Sequence, residues 1–171
     1  DGQPLISASH PTVGNGNQSN TIGATDLSEA ALETATIAIT KIKDDRGILV
    51  GASTKSLHIP SDLIYTADQI LNSPGTTTAG GSAAFAQNNI NAIRNQSVVS
   101  DGFYVNRRLT DGNAWFLKTD VPNGTKMFVR VPLQTKMEPD FDTGNMRFKS
   151  RERYAFGWSD WRQWRGASGS S

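Results

Sequence analysis

Three acids fall at alternate positions, Glu138, Asp140 and Asp142, just ahead of Thr143-Gly144-Asn145. Carboxylates this close together can share acid/base work or gather oxygen ligands around a calcium ion. A calcium loop of the usual kind also needs a DxDxDG pattern and a terminal glutamate, and this stretch lacks both. The same residues make a polar turn between two strands, with Gly144 supplying the bend. That turn is the preferred reading, and its acids are also available to basic residues of a neighbouring copy. His10 and His58 are the two histidines, so a histidine-based metal site would need carboxylates to complete it. GNGNQS at 14–19 opens like a dinucleotide loop but lacks the third glycine and a preceding strand. No GxxxxGK(S/T), GxSxG or HExxH pattern occurs. With no cysteine, the chain has neither a disulfide framework nor a thiolate nucleophile. The expectation is a protein that is not an enzyme, with no catalytic residue, no metal and no cofactor.

A second pattern is more regular. Arg147, Lys149, Arg151 and Arg153 alternate with Met146, Phe148, Ser150, Glu152, Tyr154, Phe156 and Trp158. A period of two in an extended strand puts the cations on one face and the mostly apolar residues on the other. At about 3.3 Å per residue such a strand would reach ~43 Å. The basic face suits three uses: exposure to solvent, contact with nucleic-acid phosphates, or pairing with acids across a subunit interface. The apolar face is expected to pack on the chain's own domain. Trp158, Trp161 and Trp164, with Arg162 and Arg165 beside them, suit a stacking platform for sugars or bases. The preferred reading has them pinning the chain end onto the body or a neighbour.

The elements that must position these residues follow from composition and periodicity. The 171 residues are enough for one domain with a core. No stretch approaches the ~18 apolar residues of a membrane span. Net charge is +1, but residues 1–125 carry −3 and residues 126–171 carry +4, an asymmetry that suits copies meeting through unlike faces. Residues 1–25, rich in Gly, Asn, Ser and Thr, read as a loop or arm. The segment 25–47 predicts a helix, with Asp26 and Glu29 as a capping box and Leu27, Ala31, Ala35, Ala38, Ile39 and Ile42 as its buried stripe. Lys41 and Lys43 would sit at its C-terminal end and Gly47 would close it. Residues 48–50 and 55–59 predict short strands, and 61–72 a second helix ended by Asn72, Ser73, Pro74 and Gly75. The uncharged stretch 74–89 reads as a mobile loop. Residues 102–120 predict a hairpin turning at Asp111-Gly112. A strand interrupted by Pro132 and the alternating strand follow, then a flexible GASGSS tail. The sum is an α+β domain.

DGQPLISASHP, DLSEAALETA, LHIPSDLIYTADQIL, AWFLKTDVPNG and VPLQTKMEPDFDTGNMRFKSRERYAFGWSDW, in this order, resemble the C-terminal part of a tailed-phage major capsid protein. Mu-like major head subunits and related prophage capsid proteins, of the Hong Kong 97-type fold, are the group in view. The resemblance spans most of the chain, and HIPSDL, AWFL and DFDTG…RERYAFGWSD are its best motifs. It implies an axial domain over 26–124, after the loop or arm at 1–25. Strands over 125–165 would return into the peripheral domain, and 166–171 would form the tail. The loop carrying Pro74, Gly75, Gly80 and Gly81 would face the capsomer axis. Arg147, Lys149, Arg151, Arg153, Glu138, Asp140, Asp142, Trp158, Trp161 and Trp164 would serve the subunit interface. Expected partners are further copies, as hexamers and pentamers of a shell, with scaffold, portal or decoration proteins, non-specifically packaged DNA and no membrane. The expected location is the virion, reached through the host cytoplasm. In that family an N-terminal arm, an extended loop and a long spine helix precede the region seen here, so a fragment of a longer subunit is expected. The alternative from another class is a phage-associated carbohydrate- or nucleic-acid-binding module using the tryptophans.

Overall fold

Ser28 starts the first helix. Its backbone is extended, and its hydroxyl accepts the Ala31 N–H at 3.2 Å. The helix therefore begins at Glu29, and the expected cap at Asp26 is corrected: Leu27 is already committed to the core before the first turn forms. The computed structural model describes residues 2–75 and 90–168. In chain order its elements are β1 His10–Thr12, β2 Gly16–Gln18, β3 Thr21–Gly23, α1 Glu29–Thr40, β4 Thr54–Ile59 and α2 Ile64–Asn72. There follow α3 Ala92–Asn95, β5 Phe103–Val105, β6 Trp115–Thr119, β7 Thr125–Pro139, β8 Met146–Trp158 and β9 Trp164–Ala167. Single 3-10 turns, Ser61–Leu63 and Trp161–Gln163, lead into α2 and β9.

Among the described residues the body is a five-stranded mixed sheet in the order β3-β9-β6-β4-β5. Leu57 and Ile59 of β4 and Trp115 and Leu117 of β6 are fully buried. They join one core with Leu32, Ala35 and Ile39 of α1, Ala67 and Ile70 of α2, and Ile93 of α3. Leu32 was not in the predicted stripe, yet it is completely buried, one helical turn before Ala35 and Thr36. Helix α1 stops at Thr40, not near Gly47. Beyond it Ile42 turns back toward Val50, whose N–H it accepts at 2.9 Å, so Lys43 lies in a bridge with Leu49 instead of in a last helical turn. The predicted strand at 48–50 is reduced to that bridge, with Ile48 and Leu49 exposed.

Two further expectations need correction. Residues 102–120 are not a hairpin: β5 lies parallel to β4, and β6 runs antiparallel to β4 on its other side. The loop 106–114 is too long for a two-residue turn, and Asp111 instead accepts the Asn113 N–H locally. β4, longer than either and buried at four of its six positions, takes the place between them. Residues 166–168 do not open a flexible tail either. Gly166 and Ala167 belong to β9, which pairs with both β3 and β6, and Ala167 is buried. At the other end, residues 1–25 contain the β1–β2 hairpin and strand β3 as well as loop.

Strands β7 and β8 leave this body as a separate antiparallel ribbon, with pairing from Thr125↔Trp158 to Pro139↔Met146. β7 is two residues longer than β8, and the surplus is absorbed in irregularities between Val129 and Val131 and between Val131 and Gln134. Pro132, which has no N–H to give a ladder, sits in that interval, as expected of a strand proline.

Candidate interaction surfaces

Directly paired residues of a ribbon share a face, so the register decides which side chains meet. Met127 lies opposite Phe156, Val129 opposite Tyr154, and Met137 opposite Phe148. They form one apolar face, along which Tyr154 and Phe156 meet edge to face at 5.4 Å. The other face pairs Glu138 with Arg147, Lys136 with Lys149, Gln134 with Arg151, and Val131 with Arg153. The alternating cations thus share one side, joined there by Lys136. Lys136 and Lys149 stand directly opposite each other, an arrangement that disfavours the isolated ribbon.

The apolar face does not pack on its own domain as expected. Met127, Val129, Met137, Met146, Phe148, Tyr154 and Phe156 are all more than half exposed, as are Leu133 and, opposite Ala155 on the other face, Phe128. The ribbon rises away from the sheet, and the helices cover the sheet, not the ribbon. Exposed apolar surface on this scale marks a place where another molecule binds, and a lone two-stranded ribbon is only marginally stable in water.

The tip is an ordered turn. Asp140 accepts from Arg147 and from the Thr143 hydroxyl, both at 2.7 Å, while its own N–H meets the Asn145 carbonyl at 2.8 Å. Gly144 adopts a positive φ of 67°, which makes the bend. Among the described residues no group of three metal-ligating side chains is placed to hold an ion. Phe141, between Asp140 and Asp142, is fully exposed. It drew no notice in the sequence because it breaks no pattern. Its only signal was a large apolar residue inside an acidic turn.

At the root, Gln163 secures the ribbon to the body. Its side-chain oxygen accepts the Thr125 N–H at 2.9 Å, and its amide donates to the Val121 carbonyl at 3.3 Å. The tryptophans surround this junction. Trp161 is buried and stacks on His10 with centroids 4.5 Å apart, and Trp158 meets the same imidazole edge-on. Trp164 meets His58 at 5.0 Å, and His58 also stacks on Tyr104. All three indoles are thus engaged within the chain. Arg162 lies 4.7 Å above Trp161 and reaches Asp45 at 2.7 Å, tying the start of β9 to the turn after α1. Burial holds the pKa of His10 below the usual imidazole value, and burial followed by the Lys118 charge does the same for His58.

Asn20 is the residue at this junction that sequence reasoning missed. It is buried, its side-chain oxygen accepts from Ser7 N–H and pairs with His10 Nε2, and its amide nitrogen faces the carbonyls of Leu5, Trp161 and Trp164. Pro74 and Gly75 lie at the mouth of the proposed axis-facing loop. Gly75 bridges Ile90, and Asn91 donates to the carbonyls of Ile70 and Ser73. Gly80 and Gly81 lie outside the described residues. No helix is long and apolar enough to cross a membrane among the described residues.

No curated protein matches the chain. The sequence model of a family described as phage capsid protein matches residues 1–166, nearly the whole length, in agreement with the mixed α+β architecture and with a non-enzymatic role. The chain belongs to the phage capsid protein family and is a structural phage capsid protein.

Proposed function

We propose that this chain is the repeating subunit of an icosahedral head, self-assembling into hexamers and pentamers around a double-stranded DNA genome. In this reading it is a Mu-like subunit of the Hong Kong 97-type fold. Residues 26–124 form the axial domain, and the β7–β8 ribbon belongs to the peripheral domain, where neighbours overlap. The single observation that supports it best is the ribbon itself. It carries Met127, Val129, Tyr154 and Phe156 into solvent on one face and Arg147, Lys149, Arg151 and Arg153 on the other. A monomer gains nothing from such a surface, whereas a subunit among copies buries its apolar face and matches its cations to acids. Many modest contacts of this kind add up over a shell.

Glu138, Asp140, Asp142 and the tryptophans take supporting parts. Asp140 braces the ribbon's tip, with Glu138 and Asp142 exposed beside it, and Trp158 and Trp161 pack at its root. The test is to express the full-length gene product and image it by electron microscopy, alone and with Arg151→Glu and Arg153→Glu together. Regular shells from the parent and fewer or salt-sensitive shells from the double variant are expected. A parent that stays monomeric under all assembly conditions would overturn the proposal. Shells from the variant as resistant to salt and heat as the parent's would remove the basic face from it.

A further inference from the structure

The two ends of the ribbon complement each other. At the root, Leu5, Lys126, Met127, Phe156 and Trp158 line an open, mainly apolar concavity of ≈ 540 Å³. At the tip stands Phe141, fully exposed and held out by the Asp140–Arg147 pair, with the exposed Asp142 next to it. We infer that Phe141 of one copy seats in the root concavity of the next copy, with Asp142 against Lys126. The inference rests on the assembly reading above and gives it one specific contact.

Two observations favour a second copy as the occupant. The chain's own tip cannot reach its own root, because the paired strands separate them by ~40 Å. The charges agree, since the acid flanking the aromatic meets a lysine in the wall of the receiving surface. A reciprocal pair with two β8 strands side by side would set Arg147, Lys149, Arg151 and Arg153 against the same row of the partner, which like charges oppose. A tip that seats in the root of one copy while its own root takes the tip of another makes a heterologous contact, which propagates into closed rings or open arrays.

The chain has no cysteine, so an engineered pair reports without background. Full-length protein carrying Phe141→Cys is mixed with protein carrying Met127→Cys, assembled, oxidised and run on a non-reducing gel. A cross-linked dimer band that needs both variants is expected, and protein carrying both changes should give a ladder of linked copies. Phe141→Ser should fold as the parent does, by circular dichroism, and lose assembly. Particles that form without the mixed cross-link overturn the contact and leave the assembly reading standing. A cross-link from Phe141→Cys alone overturns it too, by showing that tips meet tips. Absence of any oligomer from the parent protein brings down the assembly reading and the contact with it.

Discussion

The side-chain amide nitrogen of Asn20 lies 3.2 Å from the backbone carbonyl of Trp161, joining segments 141 residues apart in sequence. The same nitrogen is 3.0 Å from the Trp164 carbonyl and 2.7 Å from that of Leu5. One buried amide thus satisfies backbone groups of the N-terminal segment and of the connection between ribbon and sheet.

Asn20→Ala takes the acceptor from the Ser7 N–H, the Asn20 contact from His10, and one donor from the carbonyls of Leu5, Trp161 and Trp164. Each such loss costs about 1–3 kcal/mol, and partial relaxation sets the sum at roughly 2–4 kcal/mol. Urea unfolding of the unassembled protein should show the loss as a lower midpoint with little change in slope.

Acid should weaken the fold through the histidines. His10 and His58 both have folded-state pKa values below the ordinary 6.5, so the unfolded chain binds protons more readily. Their contribution is complete above about pH 6.5 and declines as pH falls from there toward the folded-state values. His10→Gln should flatten the stability-against-pH curve in that window. An unchanged slope would show that His10 does not carry the effect.

Arg162 combines three roles that lysine cannot fill together. It stacks on Trp161, donates from Nε to the Lys43 carbonyl at 3.0 Å, and reaches Asp45 and Asp160. Arg162→Lys keeps the charge and loses the planar fork, for an expected cost of roughly 1–2 kcal/mol. Thermal melts of the parent, Arg162→Lys and Arg162→Ala should show lysine recovering only a minor part of the loss.

A methyl group at Gly124 would collide with the Gln163 side chain, its Cβ included. Gly124→Ala therefore displaces the residue that holds Thr125 at the ribbon's root, at a cost of about 1–3 kcal/mol. Hydrogen exchange should quicken at Thr125 and Ser159 first, because Ser159 donates to the Gly124 carbonyl.

Lys136→Glu replaces a facing pair of lysines with an ion pair across the ladder. In the unassembled protein the neighbouring ribbon amides should exchange about two- to fivefold more slowly. Exchange as fast as in the parent would mean that the Lys136–Lys149 repulsion has no influence on the ribbon.

The parts legible in the sequence were those with local causes. Ala31, Ala35 and Ile39 of the α1 stripe, the stop after Asn72 and the alternation along β8 are set by neighbours a few residues away and appear in the structure. Ala38, by contrast, is only half-buried, and Leu27 and Ile42 join the core from outside the helix. What was not legible depended on distant partners. Whether β5 joins β6 or β4 is decided by which strand best fills the middle of the sheet, and nothing near Asp111 encodes it. Tyr154 and Phe156 look like core residues in the sequence, because a period of two cannot tell an inner face from one awaiting a neighbour. Asn20 sits in an unremarkable polar run, and its importance comes from carbonyls more than a hundred residues away.

Pro132 and the surplus residues of β7 leave the ribbon's middle with the fewest rungs, while Asp140 braces one end and Gln163 the other. A load applied at Phe141 therefore meets fewer cross-strand hydrogen bonds at mid-length than at either end. The least-laddered stretch of the arm thus stands midway between a braced tip and a braced root.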